Sequence, residues 1–349
     1  MSRSRNRDKM GTLSSNQTAG NFTMIHIPLL SSMVTAISPF ANELPKVRGK
    51  VRYNVPLSKH TWFGVGGPAE IFFEPADMED LALMVKNKKN TPLTILGGGS
   101  NLLVRDGGVL GIVVKLTKPF SSITHENTTI TAGAGVRNFE LCKYAMEHDI
   151  GGLEFLNGIP GTVGGALKMN AGSFGSDTKS IFQSATIMDG MGNLNEVTLD
   201  DIHYGYRSST IPSDWVFLKA VFKGHPSNAE TIKNKMAEMK EKREKSQPVG
   251  VKTAGSTFKN LSSIDMPAWK LIDKAGCRGM RVGGAVVSDK HCNFIINDNH
   301  ATAADIEMLG QKIIKRVLEV CGVQLEWEIK IIGIEKRLKT SLLKGLKHK

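Results

Sequence analysis

A chain of 349 residues with 40% hydrophobic and 22% charged residues is long enough for two or three domains and has an ordinary globular composition. Its formal charge of +12 lies mostly at the ends, with a net +3 in residues 1–9 and +5 in 334–349, which is typical of solvated tails and disfavours a nucleic-acid-binding face. No apolar run is long enough to span a bilayer. The four cysteines form no CxxC pair, so we expect free thiols in a reducing compartment and no metal site.

The N-terminal part of the chain carries weak signals. Residues 1–23 are polar and lack periodicity, which predicts a disordered tail. Residues 25–40 have apolar side chains at helical spacing and predict an amphipathic helix that ends at Pro39. Residues 45–57 are expected to be an irregular connector.

The next segments alternate strands, a helix and glycine turns. We predict a strand at 70–74, a helix at 77–88 with Asp77 as N-cap, and a buried strand at Leu93–Leu96. A glycine run follows at once, which suggests a dinucleotide site. In a doubly wound fold, however, that run would open a long helix. Here the residues after the glycine run predict a strand, a turn and a second strand. The glycine run is therefore expected to be either an anion-binding nest of N–H groups or a plain turn.

The stretch 151–175 holds eight glycines in 25 residues. Residues 162–169 have enough helical propensity for one or two turns but almost no side-chain volume. Such a segment exposes backbone N–H groups, which suits a pyrophosphate or a flat cofactor ring. A glycine-rich surface loop is the alternative.

The remaining elements complete a strand-rich half and a helix-bounded half, with a boundary near residue 226. We expect a short strand at 130–132, followed by a helix that Asn138 caps and that runs to about His148. Further predicted elements are a hairpin of 183–189 with 194–198, strands at 215–222, 281–287, 293–296 and 325–332, and helices at 228–246, 267–276 and 302–322.

Three polar positions stand out from their surroundings. Arg207 is flanked by aromatic residues and suits a carboxylate, although an exposed loop arginine would look the same. Ser256 follows a glycine, where serine is more often a turn residue than a catalyst. Glu328 lies among apolar residues, and either points to solvent or is half-buried with a raised pKa. Spacing alone cannot show that the three converge.

Six motifs occur in a fixed order: TWFGVGG (61–67), ILGGGSNLLV (95–104), NGIPGTVGGALKMNAG (157–172), YGYRSS (204–209), GSTFKN (255–260) and LEWEIKIIG (325–333). Together they make the chain similar to the UDP-N-acetylenolpyruvoylglucosamine reductase family. The resemblance implies an α+β fold, in which a two-lobed FAD-binding domain of the vanillyl-alcohol-oxidase (PCMH) type precedes an α+β substrate-binding domain. It covers about residues 45–333.

The resemblance implies a division into an FAD-binding region at 24–225, with lobes of about 45–118 and 119–225, a substrate-binding domain at 226–333 and a basic tail at 334–349. It also implies roles for particular residues. Arg207 matches the active-site arginine that binds substrate, Ser256 the proton donor, Glu328 the active-site glutamate and Asn260 a residue near the uridine diphosphate. The FAD-binding residues are expected to be Gly97, Gly98, Gly99, Ser100, Asn101, Gly158, Ile159, Pro160, Gly161, Thr162, Val163, Gly164, Gly165 and Ala166.

Only 48 residues separate Arg207 from Ser256, so the chain resembles the shorter class of the family, which lacks an extra tyrosine-bearing segment. The implied activity is reduction of UDP-N-acetylglucosamine enolpyruvate with FAD and NADPH, in peptidoglycan precursor synthesis. We expect a cytoplasmic monomer with no nucleic-acid, membrane or metal partner. Another FAD-dependent oxidoreductase or oxidase, and a non-catalytic nucleotide-sugar or nucleic-acid-binding protein, are the alternatives.

Overall fold

A computed structural model describes residues 44–261, 263–336 and 338. The predicted disordered tail at 1–23, the predicted helix within 25–40 and most of the basic tail lie outside the described residues. The part that is described forms two lobes and a third, helix-bounded part. One buried cluster of apolar side chains lies mainly in the third part, one lies in the second lobe, and one joins the first lobe to the second.

The first lobe is a four-stranded sheet. Its elements are β1 (Lys50–Pro56), β2 (Pro68–Glu74), helix α1 (Met78–Asn87), β3 (Leu93–Leu96), β4 (Leu102–Val104) and β5 (Val109–Lys115). The strand order is β1-β2-β5-β3, with β1 antiparallel to β2 and the other pairs parallel. The N-cap of α1 is Asp77, whose carboxylate accepts a hydrogen bond of 2.9 Å from Asp80 N, as predicted.

The irregular connector predicted at 45–57 is wrong, because β1 occupies most of it. Strand β1 lies at the edge of the sheet, and five of its seven residues are exposed. An edge strand of this kind needs no regular alternation of apolar side chains, so the usual sequence signal is weak.

The second lobe is a five-stranded antiparallel sheet in the order β12-β11-β15-β7-β6. Its longer elements are β6 (Ile123–Glu126), β7 (Thr129–Gly133), α2 (Asn138–Glu147), α3 (Val163–Met169), α4 (Thr178–Ile181), β11 (Phe182–Met188), β12 (Leu194–Thr198) and β15 (Val216–Lys223). Two-residue strands complete it: β8 (Ile150–Gly151), β9 (Gly172–Ser173), β10 (Ser176–Asp177), β13 (Tyr204–Gly205), β14 (Ser208–Ser209) and β16 (His225–Pro226). The predicted hairpin of β11 and β12 is confirmed. The N-cap of α2 is Arg137, so the prediction of Asn138 as cap is wrong by one residue.

The third part contains α5 (Ala229–Ser246), α6 (Ala268–Lys274), β17 (Arg281–Val282), β18 (Ala285–Val287), β19 (Ile295–Asn297), α7 (Ala303–Cys321) and β20 (Lys330–Ile332). The capping box of Thr302 with Asp305 is confirmed, and so is the end of α7 at Gly322, which has φ +69°. The single strand predicted at 281–287 is instead a hairpin that turns at Gly283, where φ is +51°. The strand predicted at 325–332 is regular only in β20.

Three contacts join the third part to the first lobe. Strand β20 pairs with β4 in parallel. Arg105 binds Glu307 with two hydrogen bonds of 2.9 and 2.7 Å. Asp106 accepts hydrogen bonds of 3.0 Å from Ala303 N and Ala304 N, so a turn of the first lobe caps helix α7.

Helix α5 packs on the second lobe, where Met236 contacts the buried cluster and Lys235 pairs with Glu154. The domain boundary near residue 226 stays a prediction.

The expectation of free thiols is confirmed. All four cysteines are free thiols, and three of them are buried. No group of three or more histidine, cysteine, aspartate or glutamate side chains in residues 44–261 and 263–336 is arranged to hold a metal ion. In the same residues, every helix is too short or too polar to cross a membrane.

Candidate active site

The first glycine loop, Gly97–Asn101, lies between strands β3 and β4, with no helix behind it. Gly99 has φ +67°, and a Cβ atom there would lie 2.0 Å from the carbonyl oxygen of His60, so only glycine fits. Among the described residues, no group accepts a hydrogen bond from the N–H groups of Gly98, Gly99 or Ser100. Unpaired backbone donors on a glycine loop form a nest that suits an anion.

The second glycine loop, residues 158–166, runs into the short helix α3. Thr162 is the N-cap, and its hydroxyl accepts a hydrogen bond of 3.4 Å from Gly165 N. The two central glycines of α3 face different surroundings. A Cβ on Gly164 would lie 3.0 Å from the Cβ of Ala134, whereas a Cβ on Gly165 would meet only Thr162 Oγ1, at 3.6 Å. Gly164 therefore has a packing reason to be glycine, and Gly165 leaves an open face.

The two loops lie against each other. Ser100 Oγ donates a hydrogen bond of 2.7 Å to the carbonyl of Pro160, and a Cβ on Gly98 would lie 2.6 Å from the Cα of Gly161. The N–H groups of Gly161 and Thr162 also donate to no described residue. The joined loops thus offer several free donors and little side-chain volume, which fits the diphosphate and flat ring of a flavin dinucleotide.

Asn101 links the first glycine loop to the polar cluster. Its side-chain amide donates a hydrogen bond of 3.2 Å to the carbonyl of Glu328, and its own carbonyl accepts one of 3.0 Å from Lys330 N. A residue expected to bind cofactor therefore also fixes the backbone that carries a predicted catalytic side chain.

Arg207 and Glu328 meet, as the family resemblance implies. Arg207 lies in the turn between β13 and β14 with φ +53°, a conformation that costs roughly 1–3 kcal/mol in a non-glycine residue. Its Nε donates to Glu328 Oε1 at 3.0 Å, and its Nη2 donates to the carbonyl of Gly172 at 2.9 Å. The Nη1 group has no hydrogen-bond partner among the described residues and is available to a carboxylate.

Glu328 is mostly but not fully buried, with 12% of its side chain exposed. Burial raises the pKa of its carboxyl group above the ordinary value, while Arg207 and Tyr206 oppose that rise. The Tyr206 hydroxyl lies 3.5 Å from Glu328 Oε2, and the Tyr206 ring lies under the Arg207 guanidinium at 4.8 Å. The sequence shows that aromatic residues flank Arg207, but it does not indicate a role for Tyr206.

Ser256 lies beside the same cluster. It forms a β-bridge with Phe294, and the carbonyl of the next residue, Thr257, accepts a hydrogen bond of 2.9 Å from Glu328 N. The half-buried Ser256 hydroxyl forms no hydrogen bond within the described chain. Asn260 is engaged differently, because its Oδ1 accepts a hydrogen bond of 2.9 Å from Ala268 N at the start of α6.

Asn138 supports the second glycine loop, a function that the sequence did not reveal. Its Nδ2 donates to the carbonyl of Ile159 at 3.1 Å, and its backbone N donates to that of Gly161 at 3.1 Å. Asparagine at the start of a helix usually indicates an N-cap. The sequence therefore gives no sign that Asn138 contacts the second glycine loop.

The two glycine loops and the two-lobed fold that presents them define an FAD-binding flavoprotein. In agreement, residues 69–198 match the FAD binding domain family. The chain belongs to the UDP-N-acetylenolpyruvoylglucosamine reductase family, whose C-terminal domain matches residues 247–332.

Relatives with this name align along nearly their whole length. The one from Paramagnetospirillum magneticum is 49% identical over 300 residues, covering 86% of this chain and 97% of the relative. The one from the Wolbachia of Brugia malayi is 47% identical, covering 83% and 98%. The crystal structure of UDP-N-acetylenolpyruvylglucosamine reductase from Thermus caldophilus superposes with a TM-score of 0.71 at 33% identity, covering 82% of this chain and 100% of that one. The family and the fold class predicted from the six motifs are confirmed.

Proposed function

We propose that this chain reduces the enolpyruvyl group of UDP-N-acetylglucosamine enolpyruvate to give UDP-N-acetylmuramate, with FAD as cofactor and NADPH as reductant. The observation that carries the proposal is the partly buried Arg207–Glu328 pair, held by Asn101 against the first glycine loop. A cation and a carboxyl group beside a flavin site suit a substrate that is itself a carboxylate and gains charge during reduction.

Bound FAD supplies hydride transfer, from NADPH to the terminal carbon of the enolpyruvyl double bond. Addition of hydride there leaves an enolate spread over the substrate carboxylate. Arg207 binds this carboxylate through its free Nη1 edge, since its Nε is engaged by Glu328. The positive charge is fixed before the reaction by Gly172 and Glu328, so little reorganisation is needed when the enolate forms.

Ser256 supplies the proton that completes the reaction. A serine hydroxyl is a weak acid, but an enolate carbon is a strong enough base to accept its proton. The hydroxyl of Ser256 forms no hydrogen bond within the described chain, so it is available to donate. Burial raises the pKa of the Glu328 carboxyl group, which is therefore easier to protonate than an exposed glutamate. In its protonated form it donates a hydrogen bond to the substrate carboxylate and shares the developing charge with Arg207.

We further propose that the enzyme works in the cytoplasm, as a monomer, and in peptidoglycan precursor synthesis. The four free thiols support a reducing compartment.

The test separates the two half-reactions. The purified protein is reconstituted with FAD, reduced anaerobically with NADPH, and mixed with the enolpyruvyl nucleotide sugar. We expect loss of the visible flavin absorbance, its return on addition of substrate, and a product with two more hydrogen atoms. Reoxidation by oxygen alone would point to an oxidase instead.

Substitutions of Arg207 show whether the predicted site performs this reaction. Arg207→Ala should slow reoxidation and weaken substrate binding together, whereas Arg281→Ala, which breaks an exposed pair with Asp298, is the matched control and should change neither. Equal behaviour of the two variants would place the reaction elsewhere.

A further inference from the structure

Arg243 differs from every other arginine that the structure describes. The chain has nine arginines in residues 44–261 and 263–336, and eight of them lie within 4.0 Å of a carboxylate. Arg243 is the exception. Its helix neighbours Lys242 and Lys245 pair with glutamates on the same helix, so the lack of a partner is particular to this side chain.

Arg243 is also half-buried, which makes the missing partner costly. Burial lowers the pKa of its guanidinium group, and no acidic group counters that effect. By contrast, Glu307 raises the pKa of Arg105. Of the five N–H donors of Arg243, one binds the carbonyl of Gly158 through Nη1, and the others have no acceptor among the described residues. A desolvated cation with free donors is stabilised by an anion.

The position of Arg243 indicates which anion. Gly158 is the first residue of the second glycine loop, and α5 packs on the second lobe, where Met236 contacts the buried cluster. Neither glycine loop contains a charged residue, since their sequences are GGGSN and GIPGTVGGA. Backbone N–H groups alone leave two phosphate charges without a counter-charge, and an arginine at the edge of the loop supplies one.

We propose that Arg243 binds the diphosphate of FAD and is the cationic part of its binding site. The inference depends on the proposed function, because it requires FAD to occupy the two glycine loops. The nucleotide substrate carries the same chemical group. The cofactor is favoured because the one hydrogen bond that Arg243 forms with the described residues is to the second glycine loop, while Arg207 and Glu328 lie on the proposed substrate side.

The test compares three variants of the apoprotein by titration with FAD. Arg243→Gln removes the positive charge. Arg243→Lys keeps the charge but lacks the planar set of N–H donors of the guanidinium group, here called the fork. Lys242→Gln removes an exposed charge one residue away and is the matched control. We expect the Kd for FAD to rise about 10- to 100-fold in Arg243→Gln, less in Arg243→Lys, and not at all in Lys242→Gln. Kd should also depend less steeply on salt in Arg243→Gln.

Two further ligands distinguish the sources of the diphosphate. ADP competes with FAD at the cofactor site, and its competition should weaken in Arg243→Gln as FAD binding does. UDP-N-acetylglucosamine binding to the FAD-loaded protein should be unchanged. Weaker UDP-N-acetylglucosamine binding with normal FAD binding would overturn the inference, and so would wild-type affinity for both ligands. Failure of the wild-type protein to bind FAD would instead refute the proposed function itself.

Arg243→Lys keeps the inference testable if Arg243→Gln does not fold. A folded Arg243→Lys variant with wild-type Kd for FAD at high salt as well as low salt would show that the planar fork of the guanidinium contributes nothing to FAD binding, which contradicts the proposal that its N–H donors hold the diphosphate.

Discussion

Two adjacent glycines of helix α3 allow the cofactor-binding face to be separated from the packing face. We predict that Gly164→Ala and Gly165→Ala have opposite effects. Both residues lie inside a helix with ordinary backbone conformation, so each alanine gains about 0.5–1 kcal/mol of helical stability. The difference between the variants therefore reports what each new methyl group contacts.

The distances set the expected magnitudes. The Cβ of Gly164→Ala must fit 3.0 Å from Ala134 Cβ and 3.2 Å from Ala134 O, an overpacking that costs roughly 1–3 kcal/mol. The Cβ of Gly165→Ala meets only Thr162 Oγ1, at 3.6 Å, which is an ordinary contact. Apoprotein stability should therefore fall, or at best stay level, in Gly164→Ala and should stay level or rise in Gly165→Ala.

In FAD affinity the order of the two variants should be the reverse of that in apoprotein stability, with Gly165→Ala the more affected. If the cofactor lies on the open face of α3, the methyl group of Gly165→Ala occupies part of its volume, and the Kd for FAD should rise about 10-fold or more. Thermal unfolding with and without FAD measures both effects, because the ligand raises the Tm only as far as it binds the folded state. A Gly165→Ala variant with a wild-type rise in Tm on FAD addition would refute the assignment of this face.

Three other perturbations have expected outcomes. Ser256→Ala should leave flavin reduction by NADPH unchanged and slow reoxidation by substrate by ~10²–10⁴-fold in rapid-mixing experiments; unimpaired reoxidation would remove Ser256 from the mechanism. Asp106→Ala should lower the free energy of unfolding by about 1 kcal/mol in urea titrations, since it removes the acceptor of two N–H groups in the first turn of α7, and an unchanged midpoint would contradict this. Burial lowers the pKa of His60 and His291, so the unfolded chain takes up protons more readily than the folded one below about pH 6.5. Stability should be full above that pH and fall below it, and His60→Gln should flatten part of the fall.

Local sequence signals predicted those elements whose stability is itself local. Helix α7 has an apolar stripe, a capping box and a terminal glycine, and its predicted bounds are confirmed. Strand β3 is a short apolar run that is likewise confirmed. Strand β1 has no comparable signal, because it is held mainly by backbone pairing with β2 at an exposed edge.

The charge of helix α5 shows a different limit. The alternation of lysine and glutamate predicts a solvated face, and most of the helix agrees with that interpretation. Arg243 has the same sequence environment as its neighbours. Only the position of α5 on the second lobe places Arg243 against Gly158, and no local pattern carries that information.

The candidate site shows the same limit more fully, because each part of the fold contributes to it. Asn101 comes from the first lobe, Arg207 from a hairpin of the second, and Ser256 and Glu328 from the third part. Their spacing in the sequence does not indicate that these residues lie in one site. Only the family resemblance implies that they do. The geometry depends on the contacts that join the parts, among them the pairing of β20 with β4 and the two hydrogen bonds of Arg105 to Glu307. Strand β20 begins two residues after Glu328, so a change that loosens this junction should move the proposed catalytic carboxyl group relative to the first glycine loop. Activity should therefore respond to substitutions at Arg105 or Glu307, although neither belongs to the proposed catalytic set.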